Sequence, residues 1–476
     1  MRNCSFAKTK ILCTIGPATS APDKLEKLLL QGIDGIRFNF SHVDYNFFEE
    51  LYSNIDTITK KLDTPLAVLV DLQGPKIRIG NLEKPEIEIE TGEFIEISVN
   101  DCVGTKNKIC CSYKPLVNDA KVGDPILIND GLIRLRVDEK KENSLICYIE
   151  IGGTLKPKKG MNLPGMNLST PSLTEKDYKD LEFALKHRVD YVALSFVRKA
   201  SDITELREWL HKHNADLPII AKIEKKEAVD CIDDIIDVTD GIMIARGDLG
   251  VELPPQEVPV LQKLIIKKCN SVGKLVITAT QMLESMIENP IPTRAEASDV
   301  ANAVWDGTDA VMLSGETSIG KYPLKAVKIM NDIVCNTELH LNPISESLFK
   351  IPIQPEENLF DSIGRAITAM SRQIDAKAIA IFTIKGRTAA LFSKFKPKAK
   401  IIAFSNNNET INKLCLVWGI QPMYLHDIDK ENIAIDKAKE LILKEGFVNK
   451  GDVVIFTAGT PYPDKSRANW IKFETV

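Results

Sequence analysis

The chain has no apolar run of the ~18 or more residues that a membrane span needs. Its start, Met1 to Lys10, lacks the apolar core of a signal peptide. Charge of one sign is missing too: 61 Lys and Arg against 66 Asp and Glu leave a net −5, which gives no electrostatic case for nucleic acid or membrane as a main partner. The 10 cysteines include no CxxC pair and no paired His/Cys spacing, so they read as reduced, mostly buried thiols rather than zinc ligands or structural disulfides. The 6 histidines are scattered, and only His42 stands at the end of an expected strand. What remains is the expectation of a cytoplasmic globular enzyme. At 476 residues it is too long for one core and should divide into about three domains of roughly 150 residues.

Against those absences stand eight short apolar runs, at Ile11 to Ile15, Gly35 to Phe40, Leu66 to Leu72, Tyr191 to Phe196, Pro218 to Glu224, Gly241 to Arg246, Leu275 to Thr280 and Ala310 to Gly315. Most are unbroken Val/Ile/Leu/Ala segments, as parallel strands covered on both faces require. Helical patterns such as Ala21 to Gln31, Phe47 to Lys61, Thr174 to Lys186, Ser201 to His211, Pro255 to Val272 and Arg294 to Gly307 separate them. Strict alternation leaves a barrel or an open doubly wound sheet. Nearly every run ends in a charged or hydroxyl residue, which favours an α/β fold of the (β/α)8 TIM-barrel type with its reactive groups at the carboxyl ends of the strands.

More than a hundred residues separate runs three and four, and there the pattern turns to alternation: Glu86 to Glu90, Phe94 to Val99, Pro125 to Ile128, Leu132 to Val137 and Leu145 to Ile151. An inserted all-β domain on two hinges is expected, leaving the carboxyl face and placed to close as a lid. Beyond a Pro-containing linker, Leu341 to Glu357, a second alternation predicts an open-sheet α/β domain with a regulatory or oligomeric role, its third helix and strand read as Asn408 to Trp418 and Met423 to Leu425. The expected division is therefore 1–72 with 168–340 as the barrel, 73–167 as the lid and 341–476 as the C-terminal domain.

Glu224 and Asp248 close consecutive strands, so their carboxylates can converge on one hard cation; Mg2+ prefers one or two carboxylates with waters and substrate oxygens. Around them the sequence puts Arg37, Lys222, Arg246, Lys76 and Arg78, a concentration of cations suited to a polyanionic substrate. Gly247 and Asp248 open a turn with free backbone N–H groups, where a carboxylate can dock. Thr280 and Ser314 offer hydroxyls for proton relay. For each residue taken singly, surface ion pairing or a hydroxyl that fills the barrel end is the plainer reading.

These residues lie in segments that together resemble the pyruvate kinase family across essentially the whole chain: TKILCTIGPAT (Thr9 to Thr19), IRFNFSH (Ile36 to His42), GPKIR (Gly74 to Arg78), INDGLI (Ile128 to Ile133), KKGMNLPG (Lys158 to Gly165), ALSFVR (Ala193 to Arg198), AKIEKKEAV (Ala221 to Val229), GIMIARGDLGVE (Gly241 to Glu252), ATQMLESMI (Ala279 to Ile287), PTRAEASDVANAVWDG (Pro292 to Gly307) and MLSGETSIGKYP (Met312 to Pro323). The resemblance implies phosphoryl transfer from phosphoenolpyruvate to ADP, enolate protonation to give pyruvate and ATP, the three domains and a homotetramer. It implies that Glu224 and Asp248 hold Mg2+, with Mn2+ a possible substitute. Arg37 and Lys222 would face the phosphoryl group. The substrate carboxylate would bind at Gly247, Asp248 and Thr280. Asn39, His42, Arg78 and Lys158 match nucleotide positions, and Thr280, Ser314 and Glu316 would order the water that protonates the enolate.

Two departures matter. Lys76 stands where many members carry Glu, as in the K+-independent branch, so activity without K+ is expected although Asn39, Ser41 and Asp71 match the K+ ligands of the other branch. The strand-to-helix loop Thr383, Ile384, Lys385, Gly386, Arg387 and Thr388 matches the family's cradle for a phosphorylated effector, with Lys385 where a small hydroxyl residue is common, and the closing loop Gly459 to Ala468 is short of glycine. Two alternatives stand beside this reading. Another barrel enzyme handling an enolate would share the Glu/Asp pair but not the Lys158 lid or the Lys222 and Arg37 clamp. An inactive sensor of the same fold would be expected to have lost some of Arg37, Lys222, Glu224, Asp248 and Thr280, all of which are present.

Overall fold

The structure is a computed structural model that describes residues 7–42, 44–341, 358–426, 431–459 and 469–476. The expected linker and the closing loop lie, apart from Leu341 and Gly459, outside the described residues. Eight parallel strands close into a barrel: Lys10–Thr14, Gly35–Asn39, Ala67–Asp71, Tyr191–Leu194, Ile219–Ile223, Gly241–Ala245, Leu275–Ala279 and Ala310–Leu313. Closure runs through Lys10 beside Ala310 to Cys13 beside Leu313. The apolar runs are unbroken because both faces of each strand are covered. One face packs on the surrounding helices, and the other fills the interior with Leu12, Leu69, Met243, Ile277 and Met312. Some crossover helices begin at side-chain caps, as where Asp44 accepts from Asn46 and Phe47, and Thr174 and Asp177 form a reciprocal box. No helix among the described residues is long and apolar enough to cross a membrane.

The amino-terminal floor of the barrel carries a fourfold device. Asp34, Asp190, Asp240 and Asp309 each stand just before an even-numbered strand. Each carboxylate accepts a backbone N–H from the preceding odd-numbered strand, from Ile11, Val68, Ile219 and Val276 at 2.8–3.0 Å. Each Asp returns its own N–H to the carbonyl of that same residue. A cation completes each one: Lys10, Arg188, Arg207 and Lys396. The odd strands would otherwise begin with an unpaired N–H at a buried edge.

Lys396 comes from the C-terminal domain, which seals the floor. Leu416 joins the interior cluster of the barrel and lies 2.8 Å from where a Cβ on Gly35 would stand, so a larger residue there would have to displace it. Lys10 reaches the Ile420 carbonyl at 2.8 Å and the Tyr191 hydroxyl donates to Lys413 at 2.6 Å. The sheet of this domain has the strand order Ile420–Tyr424, Lys400–Ser405, Ala378–Phe382, Val453–Ala458 and Trp470–Thr475, with the last antiparallel. The expected strand at Met423 to Leu425 instead begins at Ile420, and the helix before it ends at Leu414. Pro422 is tolerated because this is an edge strand.

The segment between strands three and four folds around its own core, drawn from Ile77 to Met166. Its main sheet orders Met161–Asn162, Pro125–Ile128, Ile133–Lys140, Ser144–Ile151, Phe94–Ser98 and Lys108–Cys110; Ile87–Ile89 pairs separately with Gly153–Leu155. Alternation revealed the longer strands. Lys108–Cys110, Gly153–Leu155 and Met161–Asn162 are too short to carry a period. Where the chain leaves the barrel, Gly74 has φ +66° and no room for a Cβ beside Phe196, and its N–H is held by Asp177. Where it returns, Arg198 clamps the carbonyls of Leu168 and Thr170, each at 2.6 Å.

Candidate active site

The carboxyl ends of strands two, three, four and five converge on a buried charged network. Arg37 pairs through Nε with Asp71 at 2.7 Å and donates through Nη1 to the Thr14 hydroxyl at 2.9 Å. Lys222 Nζ meets Asp71 at 3.2 Å, Glu224 at 2.8 Å and the Ser195 hydroxyl at 2.7 Å. Ser195 in turn donates to the Leu72 carbonyl. The second oxygen of Glu224 accepts from the Phe196 N–H at 2.8 Å, a contact reached because Phe196 takes a left-handed φ of +54°. All four charged side chains are at most 11% exposed.

Burial sets these charges against each other. It would raise the Asp71 carboxyl, but Lys222 and then Arg37 outweigh it and hold the group below the usual carboxylate range. For Lys222, burial acts to strip the proton, while Asp71 and Glu224 overcome it and raise the ammonium above its ordinary value. Glu224 is raised by burial, which Lys222 only partly offsets and to which the negative charge of Asp248 adds. Lys222 therefore stays cationic.

Asp248 lies in the helix Arg246–Glu252 that opens directly from strand six. Among the described residues no hydrogen bond or ion pair engages its carboxylate. It lines a cavity of about 40 Å³ between barrel and inserted domain, with Lys76, Asp130, Asn162, Phe196 and Lys225. A buried carboxylate with an unengaged one beside it, open to waters and substrate oxygens, fits the two-carboxylate chemistry of Mg2+. No group of three or more acidic, His or Cys side chains forms a fuller cage among the described residues.

On the opposite side the Thr280 hydroxyl accepts the Gly247 N–H at 2.8 Å and donates to the Ala279 carbonyl at 2.6 Å. Thr280 and Gln281 both have positive φ, at 65° and 54°, and strain of this kind persists only where the surroundings impose it. The Ser314 hydroxyl is buried and makes no hydrogen bond among the described residues.

Two expected mouth residues are engaged by the surrounding structure. Arg246 turns back into the helix layer, pairing with Asp299 at 2.7 Å and donating to the Thr280 and Gln281 carbonyls. It heads a helix rather than ending a strand, so its side chain follows the helix surface. Both oxygens of Glu316, expected in the proton relay, accept backbone N–H groups, from Leu283 at 3.0 Å and Ser314 at 2.7 Å. The K+-type positions are likewise engaged: both Asp71 oxygens are paired, and the Asn39 side chain accepts the Ser41 N–H at 3.1 Å. Arg78 and Lys158 do meet, the Arg78 guanidinium donating to the Lys158 carbonyl at 3.0 Å on the inserted domain. The His42 side chain lies outside what is described.

Sequence reasoning did not give Ser195 and Phe196 a role, although ALSFVR stands at a strand end. In the C-terminal domain Lys385, Gly386 and Arg387 line a cleft of about 270 Å³ against the barrel floor, with Lys274 and Lys413. Thr383 accepts the Gly386 N–H at 3.0 Å, and Thr388 is buried.

The chain matches the family model for the pyruvate kinase barrel domain over residues 6–327 and that for the pyruvate kinase alpha/beta domain over residues 361–473. It is 44% identical to a pyruvate kinase of Geobacillus stearothermophilus over 472 residues, covering 98% of this chain and 80% of the relative. A pyruvate kinase of Staphylococcus aureus is also 44% identical, over 476 residues with the same coverage. Among solved structures, a pyruvate kinase from Cryptosporidium parvum superposes with a TM-score of 0.93 at 35% identity, covering 98% of this chain and 96% of that one.

Proposed function

The chain belongs to the pyruvate kinase family, and on that premise we propose how its own residues carry the phosphoryl group from phosphoenolpyruvate to ADP and then protonate the enolate. The observation that carries the proposal is the network of Arg37, Asp71, Lys222 and Glu224 beside the unengaged carboxylate of Asp248. Phosphoryl transfer is catalysed mainly by positioning and by charge stabilisation. Lys222, held cationic and oriented by three partners, faces the transferred group, and Arg37 is aimed by Asp71 and Thr14. Glu224 and Asp248 would hold Mg2+, which when bound neutralises phosphate charge. The Gly247 and Asp248 backbone and the Thr280 hydroxyl take the substrate carboxylate. Thr280 and the free Ser314 hydroxyl order the water that protonates the enolate carbon, while Glu316 fixes the Ser314 backbone. Asn39, His42, Arg78 and Lys158 serve the nucleotide.

The chain divides at 73–167 and 341–476, with the inserted domain closing as a lid over the mouth. K+ is not required: Asp71 is fully used by Arg37 and Lys222, and Lys76 brings a tethered ammonium to the nucleotide side. A phosphorylated metabolite acts at Thr383, Lys385, Gly386, Arg387 and Thr388; the cationic cleft there supports this. The enzyme works in the cytoplasm as a homotetramer. The test is the initial rate of pyruvate formation from phosphoenolpyruvate and MgADP without K+, repeated with K+ at matched ionic strength. Equal, substantial rates are expected. A rate seen only with K+ removes the Lys76 argument, and no rate in either buffer removes the catalytic reading.

A further inference from the structure

The ladder between strands five and six ends with Ile223 beside Ile244. Glu224 and Asp248 both lie past that point, on segments that sheet hydrogen bonds no longer hold together. Lys225, directly after Glu224, reaches across to Glu252, and the two side chains form an ion pair in which they are 7% and 1% exposed. Glu252 lies four residues after Asp248 in one helix, so both occupy the same face. The inserted domain touches the same carboxylate, since Asn162 Nδ2 lies 3.4 Å from the oxygen that Lys225 engages. The other oxygen of Glu252 is buried and has no donor among the described residues.

A buried ion pair with an incompletely satisfied carboxylate is poor at adding stability, because desolvation costs about as much as the attraction returns. Such a pair can instead fix a geometry. Resting on the metal reading above, we infer that Lys225 and Glu252 are positioning residues that set the separation of the Glu224 and Asp248 carboxylates and so the divalent-cation affinity of the site. Lys225 holds the segment after strand five, Glu252 holds the helix after strand six, and Asn162 ties the inserted domain to their junction. Outer partners of metal ligands typically account for 10–100-fold in affinity.

The test is Mn2+ binding to the full chain, read from the electron paramagnetic resonance signal of free Mn2+, with folding checked by circular dichroism. Lys225→Met and Glu252→Gln should each weaken Mn2+ binding by about tenfold or more, and Lys225→Arg should recover most of the loss. In assays the half-saturating Mg2+ should rise in step, while kcat at saturating Mg2+ changes little. Glu252→Gln keeps the shape of the side chain and carries the test if Lys225→Met does not fold. Mn2+ affinity within twofold of wild type in the folded variants overturns the inference. So does weakening by Lys225→Met alone, which would leave Glu252 without a positioning part. Wild-type protein that does not bind Mn2+ would remove the metal reading itself, and this inference with it.

Discussion

The two ends of the barrel use the same residue types for opposite ends. At the floor, Asp34, Asp190, Asp240 and Asp309 each hold a backbone N–H of a neighbouring strand and a cation. At the mouth, Asp71 and Glu224 hold Arg37, Lys222 and the Phe196 N–H, while Asp248 holds nothing among the described residues. A carboxylate whose oxygens are taken up by backbone serves the fold, as Glu316 does even at the mouth. One left free beside a cationic cluster is available for chemistry. Stability and function can therefore be separated by asking what each carboxylate already holds.

That separation can be broken by experiment. Asp248→Ala should lower turnover by about 10³-fold, the several kcal/mol a positioned metal contributes, yet change unfolding free energy by less than ~1 kcal/mol, because no protein partner is lost. Steady-state assay and urea unfolding of the same sample check both halves. Asp309→Ala should do the reverse: it strands Lys396, whose ammonium burial already pushes down, and frees the Val276 N–H. About 3 kcal/mol of stability should go, with kcat per folded molecule near wild type. A large catalytic defect in that variant would join the two ends after all.

Asp190 sharpens the comparison through pH. Burial raises its carboxyl from 3.8 to about 6 in the folded chain, with Arg188 only partly opposing. Its contribution to stability is therefore full below the unfolded value and is lost as pH rises through about 6, a change of up to ~3 kcal/mol. Asp190→Asn removes that titration, so its stability relative to wild type should climb between pH 4.5 and 7.5; a flat difference would contradict the assignment. The smallest effect belongs to the surface. Asp332→Ala breaks an exposed helix pair with Lys328 and should shift unfolding free energy by less than ~0.5 kcal/mol.

Legibility in the sequence followed the same line. The barrel strands were readable because covering both faces demands unbroken apolar runs, and the same runs located Lys222, Glu224 and Asp248 at or just past strand ends, where such folds put reactive groups. Position along the chain does not say where a side chain points: Arg246 turns back into the helix layer, and both Glu316 oxygens hold backbone N–H groups. The floor aspartates did leave a trace. Asp34-Gly35, Asp190-Tyr191, Asp240-Gly241 and Asp309-Ala310 each precede an apolar run, but a single acidic residue before a strand reads as an ordinary turn until its partner strand is known. The Lys225–Glu252 pair was invisible for a related reason, since its members are 27 residues apart and meet only once the barrel closes.

The most direct test of the account is the initial rate of pyruvate formation by Lys222→Met at saturating phosphoenolpyruvate and MgADP, normalised to folded protein by circular dichroism. A cation ~4 Å from a unit anion contributes about 4 kcal/mol at an effective dielectric near 20, so the account predicts a fall of about 10³-fold. A rate within tenfold of wild type would contradict it and leave the buried network at the mouth without a catalytic part.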